Sequence, residues 1–467
     1  MAAIRRARQV KQRRRSPGCK VMVSSQLQNA EGEGSAGVPP ADFPGISVTF
    51  TGGTPALPNY ATGSFVRDVP MALEAPPQTA SRPEPETETT AMKQSVIVRL
   101  RRLAANLGHI LTAVLVVATA GYAAAADLPP EELARYQDAA QWSAGLNGDA
   151  LLIMKDGEVV FEDYVSPMTT QTAHMLASGT KSFSAALFAL GHDRGLWTLD
   201  EACSQTITEW ASHPFKSQIR IRHLLSLTSG LVDSPEYDAG NVQNLDTYSL
   251  AINDSTTSYP PGQACIYAPS NFQVLAAMFE RKTGGQDPAQ FLYDNLLEDL
   301  GFSQQHLALW TRDREGKPQM AGGARFAARA WANYGKLWIQ NGRWDGSQLL
   351  DPALTQLAVT FDNPAFRGYG LTWWLNRPTG DTYDPEMDQI PEDGRGDGTQ
   401  IATNAPADMF MAAGTGKQRL YVIPSRQLVI VRFGRTLQNP LWSDHVLLGK
   451  ILGASRGNST GAMWLLY

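Results

Sequence analysis

Ala150-Leu-Leu-Ile-Met-Lys-Asp-Gly-Glu-Val-Val-Phe-Glu-Asp-Tyr164 is two apolar-rich runs that meet at Lys155-Asp156-Gly157. Asp-Gly tolerates the positive φ values of a tight turn, so the stretch predicts an antiparallel hairpin. A second hairpin is predicted near the other end of the chain. There Gln418-Arg-Leu-Tyr-Val-Ile423 and Gln427-Leu-Val-Ile-Val-Arg432 flank Pro424-Ser425-Arg426. Between the two hairpins the apolar spacing turns helical. Phe183, Ala186, Leu187 and Leu190 predict a helix over Ser178 to His192, with Gly191 and Gly195 as stops. Further helices are expected over His223–Thr228, Phe272–Thr283 and Phe326–Gln340. Strands first, helices in the middle and strands last predict an α+β fold: an antiparallel sheet made from both ends of the chain, flanked by helices, with an inserted all-helical region.

Outside this frame the composition sets bounds. The chain has 467 residues, 43% hydrophobic and 18% charged, which permits a large core and excludes wholesale disorder. A formal net charge of −5 gives no general nucleic-acid footprint. Three cysteines are too few for a disulfide scaffold or a cysteine-based zinc module. After residue 126 only Cys203 and Cys265 remain, and either a bridge or two free, half-buried thiols fits. The averages hide a split: residues 1–126 carry 14 Lys/Arg against 8 Asp/Glu, and all 11 tryptophans come later.

Met1–Lys20 is basic and reads as a solvated tail rather than a nucleic-acid arm. Residues 21–91 are rich in Pro, Gly, Ser and Thr without apolar periodicity and are expected to be disordered. At Met92 the character changes. Arg99, Arg101 and Arg102 precede the apolar run Ile110–Ala120 and the small-residue site Ala124-Ala-Ala126, the layout of a secretory signal peptide over 92–126. A membrane tether through 107–126 is the alternative, since about 20 residues span a bilayer. A signal peptide works at an N-terminus, so translation is expected to start at Met92, with 1–91 an upstream extension. The expected folded domain is 127–455, exported to the periplasm or beyond, with a tail over 456–467.

Ser178-Gly179-Thr180-Lys181 is the chain's single Ser-x-x-Lys. Residues three apart share a helix face, so the Lys181 amine can reach the Ser178 hydroxyl. In the first helical turn, unpaired N–H groups and the helix dipole favour negative charge developing at the serine. Serine needs a base. Lysine serves only when its ammonium is destabilised, by roughly 4–5 kcal/mol to bring ~10.4 down to ~7. The helix potential and burial act in that direction.

The surroundings of this motif carry more weight than the motif. Gly148–Glu158, His174–Lys181, Gly195-Leu-Trp-Thr-Leu-Asp-Glu201 and Ile221-Arg-His-Leu-Leu-Ser-Leu-Thr-Ser-Gly-Leu231 come in order. Pro260-Pro-Gly-Gln-Ala-Cys-Ile-Tyr267, Gly322-Gly-Ala-Arg325, Gly342-Arg-Trp-Asp-Gly346 and Ala413-Gly-Thr-Gly-Lys-Gln-Arg-Leu-Tyr-Val-Ile-Pro424 follow. Over about 140–435 this order resembles the serine β-lactamase-related family, which takes in class C β-lactamases, penicillin-binding proteins, esterases and nylon-oligomer hydrolases. The resemblance implies a β-lactamase/transpeptidase-like fold and an acyl-enzyme mechanism without metal or cofactor. Tyr267-Ala268-Pro269 stands at the family's Tyr-x-Asn, which makes Tyr267 the proton relay; Pro269 cannot supply the asparagine's amide, and Asn271 is not promoted to that role. Ala412-Ala413-Gly414-Thr415 stands at the third motif, which implies an oxyanion hole from the backbone N–H groups of Ser178 and Thr415. Ala412 replaces the cation that holds a β-lactam's carboxylate, and Gly414-x-Gly416-x-Gln418 looks closer to the nylon-oligomer hydrolase and esterase branch.

For substrate contacts, Gly414 and the aromatic cluster Tyr369, Trp373 and Trp374 are candidates, with core packing the alternative for the rings. The Asp, Gly and Pro-rich stretch between Asp381 and Asp408 is expected to rim the cleft. Asp393-Gly-Arg-Gly-Asp397 lacks the bidentate Glu of a calcium loop. Ser455 and Ser459 each sit in a Gly-x-Ser-x-Gly, but too few residues follow for the helix, Asp and His that this chemistry needs. No His-Glu-x-x-His occurs, so a zinc hydrolase has no support, and His174 and His223 read as structural residues bonded to backbone. The expectation is therefore an exported serine hydrolase acting on a small-molecule ester or amide, with no nucleic acid and no fixed oligomeric state. A β-lactamase or penicillin-binding D-Ala-D-Ala peptidase is the alternative among enzymes. A non-catalytic ligand-binding or sensor module on the same fold is the alternative outside them.

Overall fold

The computed structural model describes residues 128–379, 400–435 and 441–453, together with Lys20–Val21. The expected signal peptide over 92–126, the Asp393–Asp397 loop, Ser455, Ser459 and the C-terminal tail lie outside the described residues. Lys20–Val21 forms a two-residue strand parallel to Ile266–Tyr267.

The described chain opens with α1 (Pro130–Gly145), then β1 (Gly148–Lys155) and β2 (Glu158–Tyr164). Their turn is the expected one, with Asp156 at φ 53° and Gly157 at φ 84°. Next come α2 (Phe183–Asp193), α3 (Ser270–Thr283), α4 (Ala328–Ile339) and α5 (Pro352–Thr360). The short strand β3 (Trp374–Leu375) leads to β4 (Phe410–Gly414), β5 (Gln418–Ile423) and β6 (Leu428–Gly434), and α6 (Asp444–Leu452) follows. The six strands form one antiparallel sheet in the order β3-β4-β5-β6-β1-β2. The N-terminal hairpin is thus zipped onto the C-terminal strands through β6 and β1.

Strand alternation sorts the two faces of the sheet. Leu420, Val422 and Val429 meet α4 at Gly335, where an added Cβ would lie 2.7 Å from the Val429 side chain. The opposite face presents Arg419, Tyr421 and Arg432 to α1 and α6. There Arg419 is buried in a bidentate pair with Asp444 (2.7 and 3.2 Å), which also accepts from the Tyr421 hydroxyl.

All four expected helices differ in extent: that over Ser178–His192 is α-helical only from Phe183, and that over Phe272–Thr283 already starts at Ser270. His223–Thr228 becomes Ile221–Leu225, because the backbone turns left-handed at Leu227 (φ 60°). The helix expected from Phe326 starts at Ala328, since Arg325–Phe326 pairs as a strand with His174–Met175. Cys203 and Cys265 are both fully buried rather than half-buried, and burial pushes the Cys203 thiol up.

Candidate active site

Ser178 sits in a 3₁₀ turn, Ala177–Ser182, that runs straight into α2. In a 3₁₀ helix residues i and i+3 eclipse, so Lys181 stands directly over the serine. The Lys181 Nζ is 2.8 Å from the Ser178 Oγ and donates to the Ala321 carbonyl, also at 2.8 Å. From Leu176 to Ser182 only Ser178 is not buried. The turn starts from a left-handed residue, Ala177 at φ 47°. It is held in place by the segment following Ala321. Leu176 N–H donates to the Ala324 carbonyl at 2.9 Å, and Thr180 Oγ1 donates to Ala177 O at 2.7 Å while accepting from Ala324 N–H at 3.1 Å.

The Lys181 amine also lies 4.7 Å from the centre of the Tyr267 ring and 5.6 Å from that of Phe272. Tyr267 is fixed by its neighbours in sequence. Pro269, at φ −46°, starts α3, whose first N–H group, that of Ser270, donates to the buried Asp233 carboxylate at 2.8 Å; the Ser270 hydroxyl donates to the same oxygen. The Tyr267 ring is stacked on Trp374 at 5.7 Å.

The third side of the site is backbone. An added Cβ on Gly414 would lie 2.2 Å from the Leu176 carbonyl oxygen and 3.0 Å from the Ser178 amide nitrogen. Only glycine lets the end of β4 lie against the Ser178 turn, and Thr415 is the next residue. Thr415-Gly416-Lys417 then reverses the chain into β5, with Gly416 and Lys417 at φ 84° and 61°. Three segments far apart in sequence are thereby joined: the Ser178 turn, the Tyr267 strand and the Thr415 turn.

The sequence pattern of the beta-lactamase family matches residues 133–442, well over half of the chain. The chain belongs to the beta-lactamase family. Solved structures share the fold at low sequence identity. EstCE1, a hydrolase with promiscuous acyltransferase activity, matches at TM-score 0.53 and 16% identity, over 69% of this chain and 98% of its own. A penicillin-binding protein homolog from Caulobacter crescentus matches at 0.52 and 17%, over 69% and 96%. SurE with D-Leu matches at 0.53 and 20%, over 72% and 78%. No curated protein matches in sequence. The β-lactamase/transpeptidase-like fold expected from the sequence is the fold found, and membership of the beta-lactamase family supports a hydrolase.

Within this family member several expected contacts fall differently. Tyr369, Trp373 and Trp374 are 1%, 0% and 2% exposed, so they pack the core instead of walling an open cleft. Trp373 is wedged among Tyr334, Trp338 and Phe410, and Trp374 stacks on the Tyr267 ring. Asn271 is fully buried; its amide donates to Ala268 O at 2.9 Å and its carbonyl accepts from Ser229 Oγ at 2.5 Å, so it is committed elsewhere than the position Pro269 vacates. Ala412 is a buried strand residue with no charge to offer. His174 bonds the Met175 carbonyl at 2.9 Å, and His223 Nδ1 accepts the Arg220 N–H at 3.1 Å. Burial, helped by Arg222 and Arg220, pushes His223 down to about 4, which keeps it neutral. No cluster of His, Cys, Asp or Glu fit for a metal ion occurs among the described residues. No described helix is long and apolar enough to cross a membrane.

The sequence pointed to Ser178 and Lys181 but missed Ala321, whose carbonyl holds the amine. Gly322-Gly-Ala-Arg325 just after it was the available signal: small residues that let one backbone approach another.

Proposed function

We propose that this chain is a serine hydrolase that cleaves an ester or amide bond, lactams included, through an acyl-enzyme on Ser178. The observation that carries this is the 2.8 Å contact between the Lys181 amine and the only hydroxyl of that turn that is not buried. A neutral Lys181 donates to the Ala321 carbonyl and keeps its lone pair for the Ser178 proton. The serine oxygen then bonds the substrate carbonyl carbon. The charge that builds on the carbonyl oxygen is taken by the backbone N–H groups of Ser178 and Thr415, one such donor being worth roughly 3 kcal/mol in the transition state. Tyr267, its ring against the same amine, passes the proton to the leaving group as the carbonyl–leaving-group bond breaks. Water adds to the acyl carbon, Ser178 departs with a proton, and the cycle closes.

The test is labelling with a fluorophosphonate, followed by hydrolysis of short-chain p-nitrophenyl esters, amide oligomers and nitrocefin. Covalent label is expected on Ser178 of the native chain and absent from Ser178→Ala. Equal signal from both proteins would mean that the nucleophile lies elsewhere. Because Ala412 offers no cation for a β-lactam carboxylate, esters are expected to turn over faster than nitrocefin. Penicillin that acylates Ser178 and leaves slowly would instead favour a penicillin-binding peptidase.

We also propose export on the Met92–Ala126 leader. N-terminal sequencing of the native protein is expected to begin near Asp127, and peptides from 1–91 would overturn the proposal.

A further inference from the structure

Arg432 has 1% of its surface exposed, on a strand whose neighbours are Val431 and Phe433. A guanidinium carried into such a place needs acceptors for its N–H groups. Here the acceptors are oxygens of two separate elements. Nη1 donates to the carbonyls of Gly416 at 2.9 Å and Lys417 at 3.1 Å, both in the turn that follows Thr415. Nη2 donates to Leu146 O at 3.0 Å and Nε to Ser143 Oγ at 3.1 Å, both at the C-terminal end of α1, where a cation complements the helix dipole. The face of the guanidinium lies 4.4 Å over Trp442.

Gln418 grips the same turn from the other side. Its Nε2 donates to the Thr415 carbonyl at 3.2 Å and to Gly434 O at 2.6 Å, while its Oε1 accepts the Gly434 N–H at 3.0 Å. All three carbonyls of Thr415-Gly416-Lys417 are therefore held by buried side chains. Space has been cleared for the arginine: a Cβ on Gly434 would lie 1.9 Å from Arg432 Nη1.

We propose that Arg432 and Gln418 are positioning residues that aim the Thr415 N–H at the substrate oxygen, the turn being anchored through Arg432 to α1. The inference rests on the reading of Ser178 and Thr415 given above. The Thr415 N–H lies in the peptide it shares with the Gly414 carbonyl, and the grips act on it from the peptides that follow: with the Thr415, Gly416 and Lys417 carbonyls fixed on one side and β4 on the other, that peptide cannot swing. The donor is then in place before charge develops, where preorganised donors act. Lysine at 432 would reach one carbonyl as a point charge, whereas the planar fork reaches two and the helix end together.

The experiment uses the full chain and the variants Arg432→Lys, Arg432→Met, Gln418→Glu and Gly434→Ala. Readouts are kcat and KM for a p-nitrophenyl ester, the affinity of a phenylboronic acid that mimics the tetrahedral adduct, and the melting temperature. Arg432→Met is expected to lose roughly 10²-fold in kcat, the effect of one misplaced donor, with KM nearly unchanged. Boronate affinity should fall in parallel, and Arg432→Lys should recover part of both. Gly434→Ala, which displaces the guanidinium without altering its chemistry, should reproduce the defect and add little to Arg432→Met. A purely structural role would lower the melting temperature while leaving kcat per folded molecule and boronate affinity at native values, and that result overturns the proposal. Should Arg432→Met not fold, Gln418→Glu and Gly434→Ala decide by the same two readouts. Failure of the native chain to label at Ser178 would sink the parent reading instead, so the two failures are distinguishable.

Discussion

At the scale of single residues, the site depends on contacts too close to tolerate substitution and on protons that must be in the right place. Tyr267→Phe keeps the ring on Trp374 and beside Lys181 but removes the proton that the proposed mechanism relays. Amide or alkyl-ester hydrolysis should fall about 10²-fold, while p-nitrophenyl esters, whose leaving group departs as an anion, should lose far less. A leaving-group series on the variant measures this. Gly414→Ala places a methyl against the Leu176 carbonyl and must push β4 off the Ser178 turn. Its expected signature is a loss of kcat/KM of roughly 10²-fold or more, whichever ester is used. His223 makes a prediction about pH. Its folded value is about 4 against about 6.5 in the unfolded chain, so between these the unfolded state binds more protons. Stability is complete above pH ~6.5 and drains away as pH falls towards 4, by about 1–2 kcal/mol between pH 7 and 5 once partial exposure is allowed for. His223→Asn should flatten that part of the melting-temperature profile.

Elements are held to one another by capping and backbone approach as much as by apolar packing. The helix α3 starts immediately after the Tyr267 strand, and its first amide and hydroxyl both donate to Asp233. Asp233→Ala should cost about 1–2 kcal/mol in denaturant unfolding, the usual range for a lost cap. Because Tyr267 is three residues before Ser270, kcat should fall with it. The 3₁₀ turn ahead of α2 has a comparable role for Ser178, the proposed nucleophile. An ordinary α-helical start would offset Lys181 around the helix axis, whereas the tighter turn stacks it over Ser178.

For the molecule as a whole, the sheet closes only because β1 pairs with β6, and α6 is fastened across its back by Arg419 and Asp444. Asp444→Ala takes the carboxylate away from a guanidinium with no exposed surface, and a loss of roughly 3–5 kcal/mol in chemical unfolding is expected. Replacing Arg419 and Asp444 together by Met and Leu should restore most of it. Much of this architecture was legible in the chain. Alternation around Asp156-Gly157 and around Pro424–Arg426 declares two hairpins, helical spacing declares α2, α3 and α4, and Ser178-x-x-Lys181 pairs a hydroxyl with an amine one turn on. Each of these is local, written in the period of neighbouring residues and in the φ values a turn demands. What tertiary structure alone decided is long-range: that Ala321 holds the amine, that Tyr369, Trp373 and Trp374 are core, and that Asn271 is committed to Ser229 and Ala268. It alone decided, too, that an arginine in an apolar strand reaches the turn after Thr415. Residues more than a hundred positions apart meet because strands from both ends of the chain share one sheet, and no local periodicity encodes which backbone will lie within 3 Å of which.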